Sequence, residues 1–204
     1  MKKYIFDFDD VLFNNTAQFK EHMFKLIAEA GVPEGEARAY YAKPEIRGKE
    51  FSLRKFIKDL FSFYDLHDSE TSIDELYLRI MEESRKFLNT ELVEMVKRIG
   101  VENCYIVTNG ETEFQQDKMK YSGIWDLFGE DKIKIVPRSK REAVIKICTE
   151  HSTENVVFVD DKIDFFRDLG EISNLKTILY GENGLEKLRA EIGTNISSEL
   201  KRRK

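Results

Sequence analysis

The stretch "KYIFDFDDVLFNNT", residues 3–16, decides how the rest of the chain is interpreted. Its apolar run ends in three carboxylates within four positions, Asp7, Asp9 and Asp10. Like charges this close repel one another, and each carboxylate costs free energy to remove from water. A folded protein therefore needs something near this segment that offsets the repulsion.

The bulk composition is that of a globular protein. The 204 residues suffice for one large domain, or for a core domain with a smaller one inserted. Hydrophobic residues make up 41% and charged residues 35%, which suits a substantial core inside a well-solvated surface. The net charge of −5 argues against a nucleic-acid partner, because no excess of Lys and Arg is available for the phosphates.

No apolar run is long enough to span a bilayer, and the N-terminus lacks a signal-peptide pattern. We therefore expect no membrane partner and a cytoplasmic location. Cys104 and Cys148 lie in apolar patterns and are interpreted as small core residues, since their spacing gives neither a disulfide framework nor a metal knuckle. The sequence leaves the oligomeric state open, a monomer included.

Short apolar runs predict the strands of a sheet. Four are strong and a fifth is weaker: "KYIFD" (3–7), "CYIVTN" (104–109), "KIKIV" (132–136), "NVVFVD" (155–160) and "LKTILY" (175–180). They do not alternate cleanly, which is typical of strands buried on both faces in a parallel sheet. Helical patterns separate the runs from residue 90 onward. The alternation predicts an α/β fold, a doubly wound parallel sheet with right-handed crossovers.

Residues 16–88 have a different pattern, with no convincing strand. They contain at least three helical patterns, at residues 16–31, 51–64 and 72–88. Ser72 and Glu75 have the spacing of a capping box. The segment is too long for an ordinary crossover, so we interpret it as an insertion. The predicted division is a core of 1–15 and 89–204 with a helical cap at 16–88; the alternative is a long helical crossover packed on the sheet.

Polar residues follow every strong strand, at the edge where doubly wound sheets bind ligands. They are Asp7, Asp9 and Asp10; Thr108, Asn109 and Gly110; Lys140; and Asp160 and Asp161, with Asp164 one helical turn further on. A hard divalent cation would offset the repulsion between the carboxylates. Oxygen ligands favour Mg²⁺ over Zn²⁺, and none of the three His lies at a strand end. The sequence therefore predicts a Mg²⁺ site.

A phosphate bound to that cation would need further donors. The Thr108 hydroxyl, the backbone N–H groups of Asn109 and Gly110 as an anion nest, and Lys140 are the candidates. For the positive charge, Arg138 and Arg141 are alternatives to Lys140. "SKREAV" predicts a helix start with Ser139 as N-cap, and a lysine there opposes the helix dipole, which indicates a functional role.

Alternation along the first strand places the Asp7 and Asp9 side chains on the same side. One carboxylate could attack phosphorus while the other handles a proton. Asp10 points elsewhere and is interpreted as a turn or helix-entry residue. The structural alternative is that Asp7 and Asp9 only cap the following helix.

At this point the sequence resembles a known family. "IFDFDDVL", "YIVTN", Lys140 and "VFVDD", in that order, resemble the four motifs of the haloacid dehalogenase-like (HAD) hydrolases. The resemblance extends from residue 1 to about residue 180. The helical segment after the first motif resembles the C1-type cap of that family.

The resemblance implies a role for each motif residue. Asp7 would be the nucleophile that forms an aspartyl-phosphate. Asp9 would protonate the leaving oxygen and then activate water, and its backbone carbonyl would contact Mg²⁺. Thr108 and Lys140 would hold the phosphoryl group, while Asp7, Asp160 and Asp161 would be metal ligands. The role of Asp164 stays open, with a helix cap as the alternative. A carboxylate at Asp9 argues against dehalogenase chemistry, since family members that cleave carbon–halogen bonds lack it.

The expected function is a Mg²⁺-dependent phosphatase that acts on a small phosphorylated metabolite. A phosphomutase, a receiver-like signalling module and a non-catalytic phosphate-binding module are the alternatives. Arg47, Lys49 and Arg54, around Gly48, are candidate contacts for an anionic substrate, with a solvated surface as the alternative.

Overall fold

The computed structural model describes residues 2–47, 51–66, 72–167 and 169–202, with the backbone alone from 194 onward. Five strands form one parallel sheet in the order β3-β2-β1-β4-β5. The strands are β1 Lys2–Phe6, β2 Cys104–Asn109, β3 Ile133–Val136, β4 Asn155–Asp160 and β5 Leu175–Leu179. The predicted doubly wound parallel sheet is confirmed, with β1 at its centre.

Both faces of the sheet are covered by helices, as the unbroken apolar strands require. Tyr4 and Phe6 of β1 pack into a large core cluster on one face, whereas Ile5 packs into a smaller cluster on the other. The larger cluster takes side chains from α5, α6, α7 and α9, and the smaller one from α8. These helices are α5 Thr90–Ile99, α6 Thr112–Ser122, α7 Ile124–Phe128, α8 Arg141–Glu150 and α9 Gly184–Arg202. Cys104 and Cys148 are free thiols buried in these clusters.

All the regular elements that are described between β1 and α5 are helices or helical turns. They are a π-helical turn Asn15–Phe19, α1 Lys20–Glu29, α2 Glu34–Tyr41, α3 Leu53–Phe63, α4 Ile73–Glu82 and a 3-10 turn Ser84–Phe87. The capping box is present, because Ser72 Oγ accepts from Glu75 N at 3.1 Å and Glu75 Oε2 accepts from Ser72 N at 2.8 Å. The sequence analysis did not predict α2, whose apolar face is short: Ala37 is buried, and Tyr40 and Tyr41 are partly buried against the core.

The two ends of this helical segment lie side by side. Asn14 N donates to Phe87 O at 2.7 Å, and Asn89 N donates to Leu12 O at 2.9 Å. Adjacent ends let a segment be inserted without disturbing the sheet. This supports the division that we propose, a core of 1–15 and 89–204 with a cap at 16–88. Within the described part of the chain, no helix has both the length and the apolarity that crossing a bilayer requires.

Candidate active site

Three acidic residues from two strands meet at the carboxyl edge of the sheet. Phe6 pairs with Val159 in the parallel register, and Asp7 N donates to Val159 O at 2.9 Å. Asp7 therefore lies beside the end of β4, where Asp160 is the last residue of the strand and Asp161 follows it. One carboxylate oxygen from each of these three aspartates lies within 4.8 Å of the others.

Lys140 supplies the positive charge inside this cluster. Its Nζ lies 2.8 Å from Asp7 Oδ1 and 2.7 Å from Asp160 Oδ2, and its side chain is only 1% exposed. Lys140 itself occupies the N-cap position of α8, rather than Ser139 as predicted. The Ser139 hydroxyl instead accepts from Arg141 N at 3.2 Å. Of the three cations considered from the sequence, Lys140 is the one that contacts the carboxylates.

Burial gives the carboxylate cluster unusual acid–base properties. Burial raises the pKa of Asp7 to about 6; Lys140 acts in the opposite direction, and Asp160 and Asp9 add to the rise. Burial also raises the pKa of Asp161, although the Lys162 ammonium, 3.9 Å away, opposes the rise. Asp161 Oδ1 is buried and accepts no hydrogen bond from the described residues. Such an oxygen is costly unless another group binds it, and an all-oxygen donor set suits Mg²⁺.

The two oxygens of Asp7 have different surroundings. Oδ1 accepts from Phe8 N at 2.7 Å and lies against Lys140. Among the described residues, no hydrogen bond to Oδ2 is found. One oxygen is therefore fixed in place, while the other is free of competing donors.

Asp9 is held by helix α6 rather than by its position in the first strand. β1 ends at Phe6, so the strand alternation used to orient Asp9 does not extend to it. Gln115 Nε2 donates to Asp9 Oδ2 at 2.8 Å, and Lys118 Nζ lies 2.5 Å from Asp9 Oδ1. Sequence reasoning missed Gln115 and Lys118.

A signal for Lys118 was nevertheless present in the sequence. Phe114, Lys118 and Ser122 are spaced four residues apart and share the buried face of α6. A lysine at an apolar helix position is unusual and indicates a buried acidic partner.

The end of β2 differs from the predicted anion nest. Thr108 is buried there, and no hydrogen bond to its hydroxyl is found among the described residues. The N–H of Gly110 donates to Val136 O at 3.3 Å, so the prediction that this N–H would serve an anion is wrong for this conformation. Gly110 has φ +149°, and a Cβ there would approach Gln115 Nε2 to 2.7 Å. The glycine therefore makes room for Gln115.

Two further aspartates lie outside the carboxylate cluster. Asp10 has φ +59° and accepts from Thr16 N at 2.7 Å and from Thr16 Oγ1 at 2.6 Å, which makes it a turn residue. Asp164 is exposed in a 3-10 turn and pairs with Arg167 at 2.7 Å.

The candidate substrate contacts of the cap separate into two groups. Arg54 pairs with Asp74 and Glu113, and its guanidinium lies 3.7 Å from the centre of the Tyr77 ring. Arg47 instead lines a cavity beside Asp9. Gly48 and Lys49 lie outside the described residues.

This cavity, of about 250 Å³, lies between the helical segment and the sheet edge. Its charged lining consists of four cations, Lys20, Arg47, Arg138 and Lys162, and two carboxylates, Asp9 and Glu111. Both carboxylates already have donors, because Glu111 accepts from the N–H groups of Glu113 and Phe114 at the start of α6. Burial lowers the pKa of Lys20; the charges of Asp10 and Asp9 oppose this change, whereas those of Arg47 and Lys162 add to it. The cavity therefore favours an anionic ligand.

Comparison with known proteins agrees with this arrangement of residues. A family model of haloacid dehalogenase-like hydrolases matches residues 1–164. The chain belongs to this family. Membership of a hydrolase family favours an enzyme over the receiver-like and non-catalytic alternatives, and the HAD resemblance of the four motifs is confirmed.

Solved structures of HAD-like proteins share the fold. One, described as a haloacid dehalogenase-like hydrolase of Burkholderia xenovorans, has a TM-score of 0.64 and 16% identity, over 90% of this chain and 87% of that one. Another, described as the HAD-hydrolase YfnB of Bacillus subtilis bound to magnesium, has a TM-score of 0.60 and 17% identity, over 94% and 98%. No curated protein sequence matches the chain.

The raised pKa of Asp7 predicts how the stability of the metal-free protein changes with pH. The folded carboxyl binds its proton more tightly than the unfolded one, so its contribution to stability is present below pH 3.8 and is lost as pH rises through about 6. Asn is neutral throughout. The free energy of unfolding of Asp7→Asn, relative to that of wild type, should therefore rise by on the order of 2 kcal/mol between pH 4 and pH 7.5. Urea unfolding in the presence of a chelator measures this difference.

Asp164→Asn is the matched control, because Asp164 is exposed and lies outside the cluster. The difference in free energy of unfolding between Asp164→Asn and wild type should change little over the same pH range. A relative stability of Asp7→Asn that falls as pH rises would contradict the burial argument.

Proposed function

We propose that this chain is a Mg²⁺-dependent phosphatase that hydrolyses a small phosphorylated metabolite through an aspartyl-phosphate on Asp7. The observation that carries the proposal is the convergence of Asp7, Asp160 and Asp161 within 4.8 Å, with Lys140 between two of them. Three carboxylates and one ammonium leave an uncompensated negative charge in a buried place. A divalent cation and a phosphate together would satisfy both the carboxylates and the lysine.

Asp7, Asp160 and Asp161 would hold the Mg²⁺, with the backbone carbonyl of Asp9 as a further ligand. When bound, the cation would neutralise the carboxylates and draw charge from the phosphoryl oxygens. The buried Oδ1 of Asp161 supports this assignment, because it accepts no hydrogen bond from the described residues, and the Lys162 ammonium is 3.9 Å away.

The reaction would proceed in two steps on the chain's own residues. In the first, Asp7 Oδ2 forms a bond to phosphorus as the bond to the leaving oxygen breaks, and Asp9 gives that oxygen a proton. In the second, water attacks phosphorus and loses a proton to Asp9, and the bond to Asp7 breaks to release inorganic phosphate. Thr108 and Lys140 would bind the phosphoryl oxygens through both steps.

The cavity supports a small anionic substrate. A volume of about 250 Å³ is below the range usual for drug-sized ligands. Arg47 and Lys20 reach it from the helical segment, and Lys162 reaches it from the loop after β4. The phosphate would thus be handled by the sheet edge, while the rest of the substrate meets the cap.

An aryl phosphate assay tests the proposed function. Wild type should hydrolyse 4-nitrophenyl phosphate in Mg²⁺ and lose this activity in a chelator. Asp7→Asn should lose about three orders of magnitude or more in kcat, because the nucleophile is removed. Asp164→Asn should stay within about twofold of wild type, since Asp164 lies outside the cluster. The proposal fails if wild type shows no Mg²⁺-dependent turnover on any member of a panel of small phosphoesters.

Two arginines of the cap provide a matched test of the cavity. Arg47→Ala should raise KM for the preferred metabolite about fivefold or more with little change in kcat, because a binding contact distant from the reacting atoms is lost. Arg54→Ala should leave KM unchanged, since its guanidinium is engaged by Asp74 and Glu113. Equal effects of the two substitutions would show that the charge of the cavity wall does not select the substrate.

A further inference from the structure

Lys118 is a buried cation whose position no part of the proposed reaction yet explains. Its side chain is 0% exposed, and its ammonium lies 2.5 Å from Asp9 Oδ1. Among the described residues, Asp9 is the one carboxylate with which it forms an ion pair. It does not line the cavity beside Asp9. Lys118 is therefore linked to the cavity through its ion pair with Asp9 and through the rings of Phe19 and Phe114, which also line the cavity.

The surroundings of Lys118 are otherwise apolar. Four phenylalanine rings surround its ammonium at 4.7–5.9 Å from the ring centres: Phe8, Phe13, Phe19 and Phe114. The negative faces of aromatic rings attract a cation, but they do not replace the water that burial removes. The Asp9 carboxylate is thus the group that stabilises the buried charge of Lys118.

Both oxygens of Asp9 are held by one helix. Lys118 contacts Oδ1, and Gln115, three residues earlier on α6, donates to Oδ2 at 2.8 Å. The same Gln115 Nε2 donates to the backbone oxygen of Asn109 at 3.0 Å, which ties the arrangement to the end of β2. Two donors on a rigid helix fix both the position and the rotation of a carboxylate.

We propose that Lys118, together with Gln115, is a positioning residue that aims the Asp9 carboxylate at the leaving oxygen and at the attacking water. The role rests on the proposed function, because it supposes that Asp9 transfers the proton. Because β1 ends at Phe6, Asp9 lies in a turn, and the strand backbone alone does not orient it.

The leaving group of the substrate distinguishes a positioning role from a structural one. An alkoxide needs a proton to depart, whereas 4-nitrophenolate is stable without one. A misaimed Asp9 should therefore slow phosphorylation of Asp7 by an alkyl phosphate far more than by 4-nitrophenyl phosphate. Dephosphorylation should slow for both, because water must still be activated. A loss of folded protein would instead lower the amplitude of phosphorylation by the same factor for both substrates and leave the rate constants unchanged.

Lys118→Met is the first variant, because methionine keeps the length of the side chain within the phenylalanine cage. In rapid-quench experiments with Mg²⁺, phosphorylation by an alkyl phosphate should slow about 100-fold, and by 4-nitrophenyl phosphate less than about fivefold. A burst of 4-nitrophenolate should then precede slow steady-state turnover. The dissociation constants of the substrates, obtained from the concentration dependence of the phosphorylation rates, should change less than about twofold.

Two further variants keep the experiment decisive. Gln115→Leu removes a donor to Asp9 without removing a charge. Phosphorylation by an alkyl phosphate should again slow more than phosphorylation by 4-nitrophenyl phosphate, but by a smaller factor than in Lys118→Met. This variant provides the test if Lys118→Met does not fold. Lys3→Met is the matched control, because Lys3 is also buried but its Nζ binds Asn103 Oδ1 at 2.9 Å. The phosphorylation rates of Lys3→Met, relative to those of wild type, should not depend on the leaving group.

The outcomes separate the positioning role from the function on which it rests. If wild type hydrolyses no phosphoester, the proposed function fails, and the positioning role fails with it. If wild type is active and the folded variants slow both substrates equally, or neither, the positioning role is overturned while the phosphatase assignment stands. A selective loss with alkyl phosphates in Lys118→Met or Gln115→Leu, absent in Lys3→Met, supports it.

Discussion

The repulsion between buried carboxylates at the edge of the sheet is the constraint on which this structure depends. Asp7 and Asp160 are almost completely buried, and Lys140 alone lies between them. Burial raises the pKa of Asp7 to about 6 even though Lys140 acts against the rise. The fold therefore holds buried like charges close together, and strongly shifted carboxyl pKa values of this kind are typical of functional sites.

The sheet topology is what imposes this proximity. β1 lies at the centre of the sheet, and its parallel register with β4 runs to Phe6 and Val159. The residues that follow these two positions, Asp7 and Asp160, must therefore lie next to each other. Lys140 reaches them from the N-cap position of α8, on the face of the sheet that is opposite the larger core cluster. Three distant parts of the sequence are brought together by backbone pairing and one helix start.

Sequence patterns predicted the parts of the molecule that local residues determine. The five strands and the acids after β1 and β4 are readable because each strand carries its own apolar run and its own polar end. The end of β1 at Phe6, which removes the strand argument for the orientation of Asp9, and the hydrogen bond from Gly110 N to Val136 O were not predicted, because both depend on neighbouring strands. Lys118 was missed because its partner lies over one hundred positions away in the sequence.

Asp9 lies where the edge of the sheet meets the helical segment that we propose as the cap. It follows β1, is held by α6, and lines the cavity to which Arg47 contributes. Phe19, from the helical segment, lines the same cavity and also lies 5.9 Å from the Lys118 ammonium. The helical segment therefore contributes both to the wall that a substrate would meet and to the cage behind the carboxylate. In the function that we propose, proton transfer and substrate selection would share side chains, so neither would be a property of the sheet alone.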